Sequence, residues 1–356
     1  MAGYETGMRC RGGGRRAAFF ALTLALVGPI ASAVAAETPF SPEERRRLAR
    51  LTDLPAEGDL AAAKLEGVTF VSIGGARRVD FADADCALLE RLPKLASVTL
   101  DGVEPTGACI DALPQSVTAL RLVGVTLDAP ALAALGRMTR LHDLWIEGGA
   151  GSTAHLADAF PPTSPLLRVK VGAVDGETLA ALRRLPRLSE LEVGAVLGPQ
   201  GLAPLDGAPE LERLSMENAT AADLHTIADL PRLDTLVTGM DDDVREAQLR
   251  HLTRSKTLTS VSLSFSHRRG STGVGVLADM PRLAHLGLVY QTVSDRELAR
   301  LVGSRTLASL DLREADVSEA GLVGLLKSRS LKRVNLWRVV ISDTVRRRLA
   351  KRFEID

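Results

Sequence analysis

Three consecutive carboxylates, Asp241-Asp242-Asp243, are the strongest metal-binding arrangement in the sequence. Hard oxygen ligands grouped in one loop suit calcium. The plainer reading is a solvated acidic turn leading into a helix N-terminus, balanced by His267-Arg268-Arg269 in a later loop. That reading is adopted, and no metal is expected. Cys86 and Cys109 stand 23 residues apart, and in an oxidising compartment such a pair invites a bridge. Each also falls on an apolar helical stripe, followed by Leu89 and Leu113. Equivalent helical positions in stacked units tend to lie further apart than the roughly 4.4–6.8 Å a disulfide tolerates. Two buried thiols are therefore the expectation, with the bridge as the alternative. The chain has no HExxH, no Cys-x-x-Cys, no GxSxG and no phosphate-cradling glycine loop. Gly273-Val274-Gly275-Val276 lacks a third glycine and reads as a loop. Neither catalysis nor a cofactor is expected.

Binding chemistry is better represented. Aromatic residues make up only 3% of the chain, so the surroundings of its two tryptophans carry information. Trp145 stands between Asp143 and Glu147, with Arg121 and Lys170 at matching positions of the neighbouring segments. Trp337 has Arg313, Asn335 and Arg338 nearby. Tryptophan and arginine dominate binding hot spots because they bury large areas and still donate hydrogen bonds.

What must position these residues is a repeated segment, Leu-x-x-Leu-x-Leu. It recurs as LASVTL (95–100), VTALRL (117–122), LHDLWI (141–146), LSELEV (188–193), LERLSM (211–216) and LASLDL (307–312), among twelve copies. Successive copies are spaced 22 to 27 residues apart, a regularity that chance does not sustain. The alternation has period two, which predicts short strands with leucines inward and the x residues outward. The outward central row includes Thr99, Arg121, Trp145, Lys170, Glu192 and Ser215. Between strands the apolar period becomes three, as in Leu179, Leu182, Leu185 and Leu188, which predicts a helix facing the same core. Pro93, Pro186, Pro209, Pro231 and Pro281 each precede the next strand's first leucine by two residues. Proline stops a helix and donates nothing to a ladder, so it separates the two elements.

Strand, turn, helix and return in about 24 residues resembles the leucine-rich repeat family, in its helix-bearing ribonuclease-inhibitor-like branch. LGLVYQTVSDRELARLV (286–302) and LDLREADVSEAGLVGLL (310–326) carry the likeness most closely. The resemblance implies an α/β solenoid shaped as a curved horseshoe, with a parallel sheet on its concave face and helices on its convex face. It also implies protein or peptide binding on that concave face. One departure stands out: the family's Asn or Cys after the strand is replaced by Val103, Val125, Val174, Gln291, Ala315 and Val339, among others. Without an asparagine ladder, either waters or a differently drawn turn must satisfy the backbone there.

Residues 1–36 read as a signal peptide: Arg9, Arg11, Arg15 and Arg16, an apolar run from Ala17 to Val27, the Gly28-Pro29 break, and small residues ending at Ala36. A retained anchor or a wrongly placed start are the alternatives, and Arg15-Arg16 leaves twin-arginine export open beside the general route. Cys10 precedes the apolar run, so no lipoprotein site is formed. Residues 37–66 are assigned to an N-terminal cap whose Ser41-Pro42-Glu43-Glu44 opens a helix, with Arg45-Arg46-Arg47 as a solvated face. Residues 67–341 form the repeat array, and 342–356 a closing helix with a short edge strand. Beyond residue 36 the chain holds 40 basic and 43 acidic groups, too little positive charge for general nucleic-acid binding, although a local basic patch is compatible with it. The expected protein is periplasmic or secreted, non-catalytic, without a membrane span once processed. Its expected binding residues are Arg121, Asp143, Trp145, Glu147, Lys170, Arg313, Asn335 and Trp337.

Overall fold

Each repeated segment forms one short strand, since alternation puts its leucines on a single face. In a computed structural model of the protein these strands are β1 (Phe70–Gly74), β2 (Ser97–Asp101), β3 (Ala119–Val123), β4 (Asp143–Glu147), β5 (Arg168–Val174), β6 (Glu190–Val196), β7 (Arg213–Ala219), β8 (Thr235–Met240), β9 (Ser260–Phe265), β10 (His285–Val289), β11 (Ser309–Asp311) and β12 (Arg333–Asn335). A last strand, β13 (Glu354–Ile355), pairs onto β12. All thirteen lie in one parallel sheet in sequence order. The structure describes residues 40–51, 65, 67–75, 80–148, 156–240, 244–265 and 273–355. Residues 1–36, Asp241-Asp242-Asp243 and His267-Arg268-Arg269 lie outside the described residues. Among those described, no helix is long and apolar enough to cross a membrane.

The strand leucines and the helical stripe meet in one continuous apolar core, which includes Leu120, Leu144, Leu191, Leu214, Leu179 and Leu182. Polar caps fix where the helices start. Thr106, Asp128, Asp175, Ser294, Ser318 and Ser342 each accept a hydrogen bond from the backbone three residues on. Such caps contribute about 1 kcal/mol each. Ser41 and Glu44 form the reciprocal capping box that opens the first helix, Pro42–Leu51.

Not every return is α-helical. Leu156–Ala159, Ala203–Leu205 and Val274–Asp279 are 3-10 turns. The last of these corrects the reading of 273–276 as a loop. Gly273 takes φ +83°, a Cβ there would overlap Glu246, and Val274 to Leu277 are buried. The Glu297 carboxylate from the following repeat accepts from the amides of Gly273 at 2.8 Å and Val274 at 3.1 Å. Asp223 does the same for Leu202 at 2.7 Å. Asp85 is a third buried carboxylate that reaches backwards, here to the Arg47 guanidinium at 2.7 Å. Arg47 also donates to the Asp80 carbonyl, so the expectation of a solvated arginine face fails at this residue. A buried carboxylate requires a charged or multiply donating partner, and Arg47 supplies it.

The absent asparagine ladder is replaced by a different turn. Val103, Val125 and Val174 simply join the core. Three residues after each central strand residue, the chain adopts left-handed backbone at Gly102, Gly124 and Gly148, and again at Tyr290, Glu314 and Arg338. The amide at this position donates to the next repeat: Gly102 to the Val123 carbonyl at 2.8 Å, Gly124 to Glu147 at 2.7 Å, Glu314 to Trp337 at 3.0 Å. A backbone ladder thus does the work of the missing side chains.

Cys86 and Cys109 are disulfide-bonded, and both are fully buried. The expectation of two thiols is corrected here. The return helix of the second cysteine is a single turn, Gly107–Asp111, packed on Asp83–Glu90, and the two Cα atoms lie 5.2 Å apart. That separation falls within the bonding range.

Candidate functional site

On the sheet face opposite the helices, parallel register stacks equivalent residues into rows. One row runs Thr99, Arg121, Trp145, Lys170, Glu192 and Ser215 across β2 to β7. A second runs Asp143, Arg168, Glu190 and Arg213 across β4 to β7. Neighbouring strands lie about 4.8 Å apart, so charges of opposite sign in one row face each other directly.

Trp145 is 37% exposed, large for an indole in mid-strand. The Arg121 guanidinium lies 5.0 Å and the Lys170 ammonium 5.1 Å from its ring centroid, both within cation–π range. Glu147 ties these two cations together, with Arg121 at 3.2 Å and Lys170 at 2.7 Å, while Lys170 also meets Glu192 at 2.9 Å. In the second row Arg168 makes a paired contact with Asp143, its Nη2 at 2.7 Å. The Lys170 ammonium, with help from Arg121, holds the Glu147 carboxyl below its ordinary pKa despite partial desolvation. Glu147 and then Glu192 raise that of Lys170 in return.

These side chains, Glu147 excepted, line a depression of about 460 Å³, floored by the two rows and reaching from Ser97 to Ser215. A second depression of about 390 Å³ shares Lys170, Glu192 and Ser215 with it and runs over Gly172 and Gly194. Each pair is partly solvated and contributes about 0–1 kcal/mol alone. The network's role is to hold side chains in place around the indole.

Five of the eight residues expected to bind are thus brought together: Arg121, Asp143, Trp145, Glu147 and Lys170. The other three lie seven or eight strands from Trp145. Trp337 sits two residues beyond the end of β12, not on the strand, and is 50% exposed. Asn335 Oδ1 accepts the Trp337 amide at 2.9 Å, and Asp311 accepts the Arg313 amide at 3.0 Å in the equivalent turn one repeat earlier. Asn335 and Arg313 are therefore committed to turn geometry. Arg168, Glu190 and Arg213 belong to the site but were not singled out from the sequence. Their strand position, two before the central row, was the available signal.

One strand per repeat, buried leucines at fixed strand positions and α or 3-10 returns define the architecture. The fold is a leucine-rich repeat solenoid. Among solved structures, this solenoid is similar to an internalin (inlF) from Listeria monocytogenes, with 18% identity and a TM-score of 0.44 over 88% of this chain and 93% of that one. It is also similar to TLR13 in its complex with ssRNA13, with 17% identity and a TM-score of 0.48, over 70% of this chain but only 37% of that one. No protein-family model and no curated protein sequence matches the chain.

Proposed function

We propose that this solenoid is a non-catalytic, extracytoplasmic interaction module that holds a protein or peptide partner on its open sheet face, around Trp145. The observation that carries this reading is the partly exposed indole set between two cations on the floor of a 460 Å³ depression. A large ring kept out of the core and steadied on both sides is pre-organised for contact, which spares a partner the cost of ordering it. The surrounding charges are balanced, so recognition rests on shape, on the indole and on exchange of hydrogen bonds rather than on bulk attraction.

Export is supported by the signal-like residues 9–36 and by the buried Cys86–Cys109 bond, which suits an oxidising compartment. The test is capture from an extracytoplasmic fraction by immobilised protein and by its Trp145→Ala variant, with thermal melts of both. Proteins retained by the parent and lost by an equally stable variant support the reading. Retention by both removes Trp145 from it.

A further inference from the structure

The C-terminal end of the solenoid carries a charge that the rest of the chain does not. Between residues 327 and 355 there are ten Lys or Arg against two carboxylates, Asp343 and Glu354, in a protein that is balanced only over its whole length, so that the rest of the chain is net acidic. All ten are exposed. Four are held: Arg333 by Glu354 at 3.0 Å, Arg338 by Glu314 at 3.2 Å, Arg347 by the Asp343 carbonyl and Arg352 by the Ser328 carbonyl. The other six, Lys327, Arg329, Lys332, Arg346, Arg348 and Lys351, make no ion pair among the described residues. This contrasts with the sheet face, where the cations flanking Trp145 are paired.

The cations come from three successive pieces of chain that meet at this end. Arg346, Arg348 and Lys351 project from the closing helix Asp343–Ala350 and its C-cap, whose Val345 and Leu349 face the core. Lys327 and Arg329 flank the preceding elbow, and the Arg352 contact with Ser328 joins the two. Lys332 enters β12, against which β13 pairs. In the same last repeat, the turn leaving β12 exposes Trp337 and, at 94%, Val340.

We propose that this end of the solenoid is a docking surface for an anionic phospholipid bilayer. Unpaired cations gather at a negatively charged membrane surface, and each contributes about fivefold to partitioning. Trp337 and Val340 choose the bilayer over a nucleic acid: an aliphatic side chain with almost all its surface in water gains from an interfacial apolar layer and little from phosphates and sugars. Tryptophan settles at the headgroup level for the same reason. The surface is distinct from the Trp145 site, eight strands away, and stands or falls separately.

The test is co-sedimentation of residues 37–356, which contain the whole described solenoid, with phosphatidylcholine vesicles with and without phosphatidylglycerol. Binding is expected only with the anionic lipid and weakens as salt is raised. The triple variant Arg346→Ser/Arg348→Ser/Lys351→Ser is expected to lose about 100-fold in partitioning, from three such contributions. Val340→Ser is expected to lose severalfold without changing charge, and Trp145→Ala to bind as the parent does. Equal binding to neutral vesicles, or no binding to either, overturns the proposal. So does binding to duplex DNA that displaces the vesicles and is indifferent to Val340→Ser.

Discussion

Glu147 Oε1 lies 2.7 Å from Lys170 Nζ, across adjacent strands and beside the indole of Trp145. The pair couples the site to pH in a definite sense. Because Lys170 lowers the Glu147 pKa from its ordinary 4.5, the pair's stabilisation is complete above that value. It is lost as pH falls through the lowered one. Because Glu147 raises Lys170 above 10.5, the stabilisation is complete below 10.5 and is lost as pH rises through the raised value. Urea midpoints of the parent and Glu147→Gln should therefore differ at neutral pH and converge in acid. A gap that persists in acid would assign the effect to packing.

The disulfide should stabilise the N-terminal repeats. Closing a loop of this length contributes about 3 kcal/mol in the chain-entropy picture. The double variant Cys86→Ala/Cys109→Ala should lower the urea midpoint accordingly. Hydrogen exchange should accelerate around β2 and β3 first, because repeats are stabilised by their nearest neighbours. Thiol titration of the unreduced, denatured protein should find neither cysteine free.

Three elbows lack the proline and use serine instead. Ser255, Ser304 and Ser328 are buried, and each Oγ accepts the amide of the strand leucine three residues on, at 3.2 Å. Ser304→Ala leaves a buried amide without its acceptor and should cost about 1–3 kcal/mol in chemical denaturation. Replacement of exposed Lys327 by alanine should be close to neutral.

Gly194 lets two strand backbones approach beneath the site. A Cβ there would overlap the Gly172 carbonyl oxygen, whereas one at Gly324 meets nothing within 4 Å. Gly194→Ala should destabilise by about 1–3 kcal/mol and weaken partner retention, while Gly324→Ala should be tolerated. Thermal melts of the two side by side check this.

Much of the fold is legible in the sequence because one apolar side chain must fill the same slot in each repeat. Leu120, Leu144 and Leu191 mark their strands directly, and register then places Arg121, Trp145 and Lys170 side by side. What was not legible depends on contacts between repeats. Nothing local in Asp85 announces that it binds Arg47, 38 residues earlier. Nothing local in Tyr290 or Glu314 announces a left-handed turn that other repeats make with glycine; their amides donate to the repeat that follows. The charges of Arg168, Glu190 and Arg213 read as ordinary surface until the rows are aligned. The Cys86–Cys109 distance likewise depends on how closely a one-turn helix packs on its neighbour.

The central claim is that Trp145 anchors a partner on the open sheet face. The most direct measurement is parallel capture from an extracytoplasmic fraction by the parent, Trp145→Ala and Trp337→Ala proteins, with melting curves recorded for each. The account predicts that Trp145→Ala melts like the parent yet loses the retained proteins, while Trp337→Ala keeps them. Retention by a folded Trp145→Ala protein at the parent's level would contradict it.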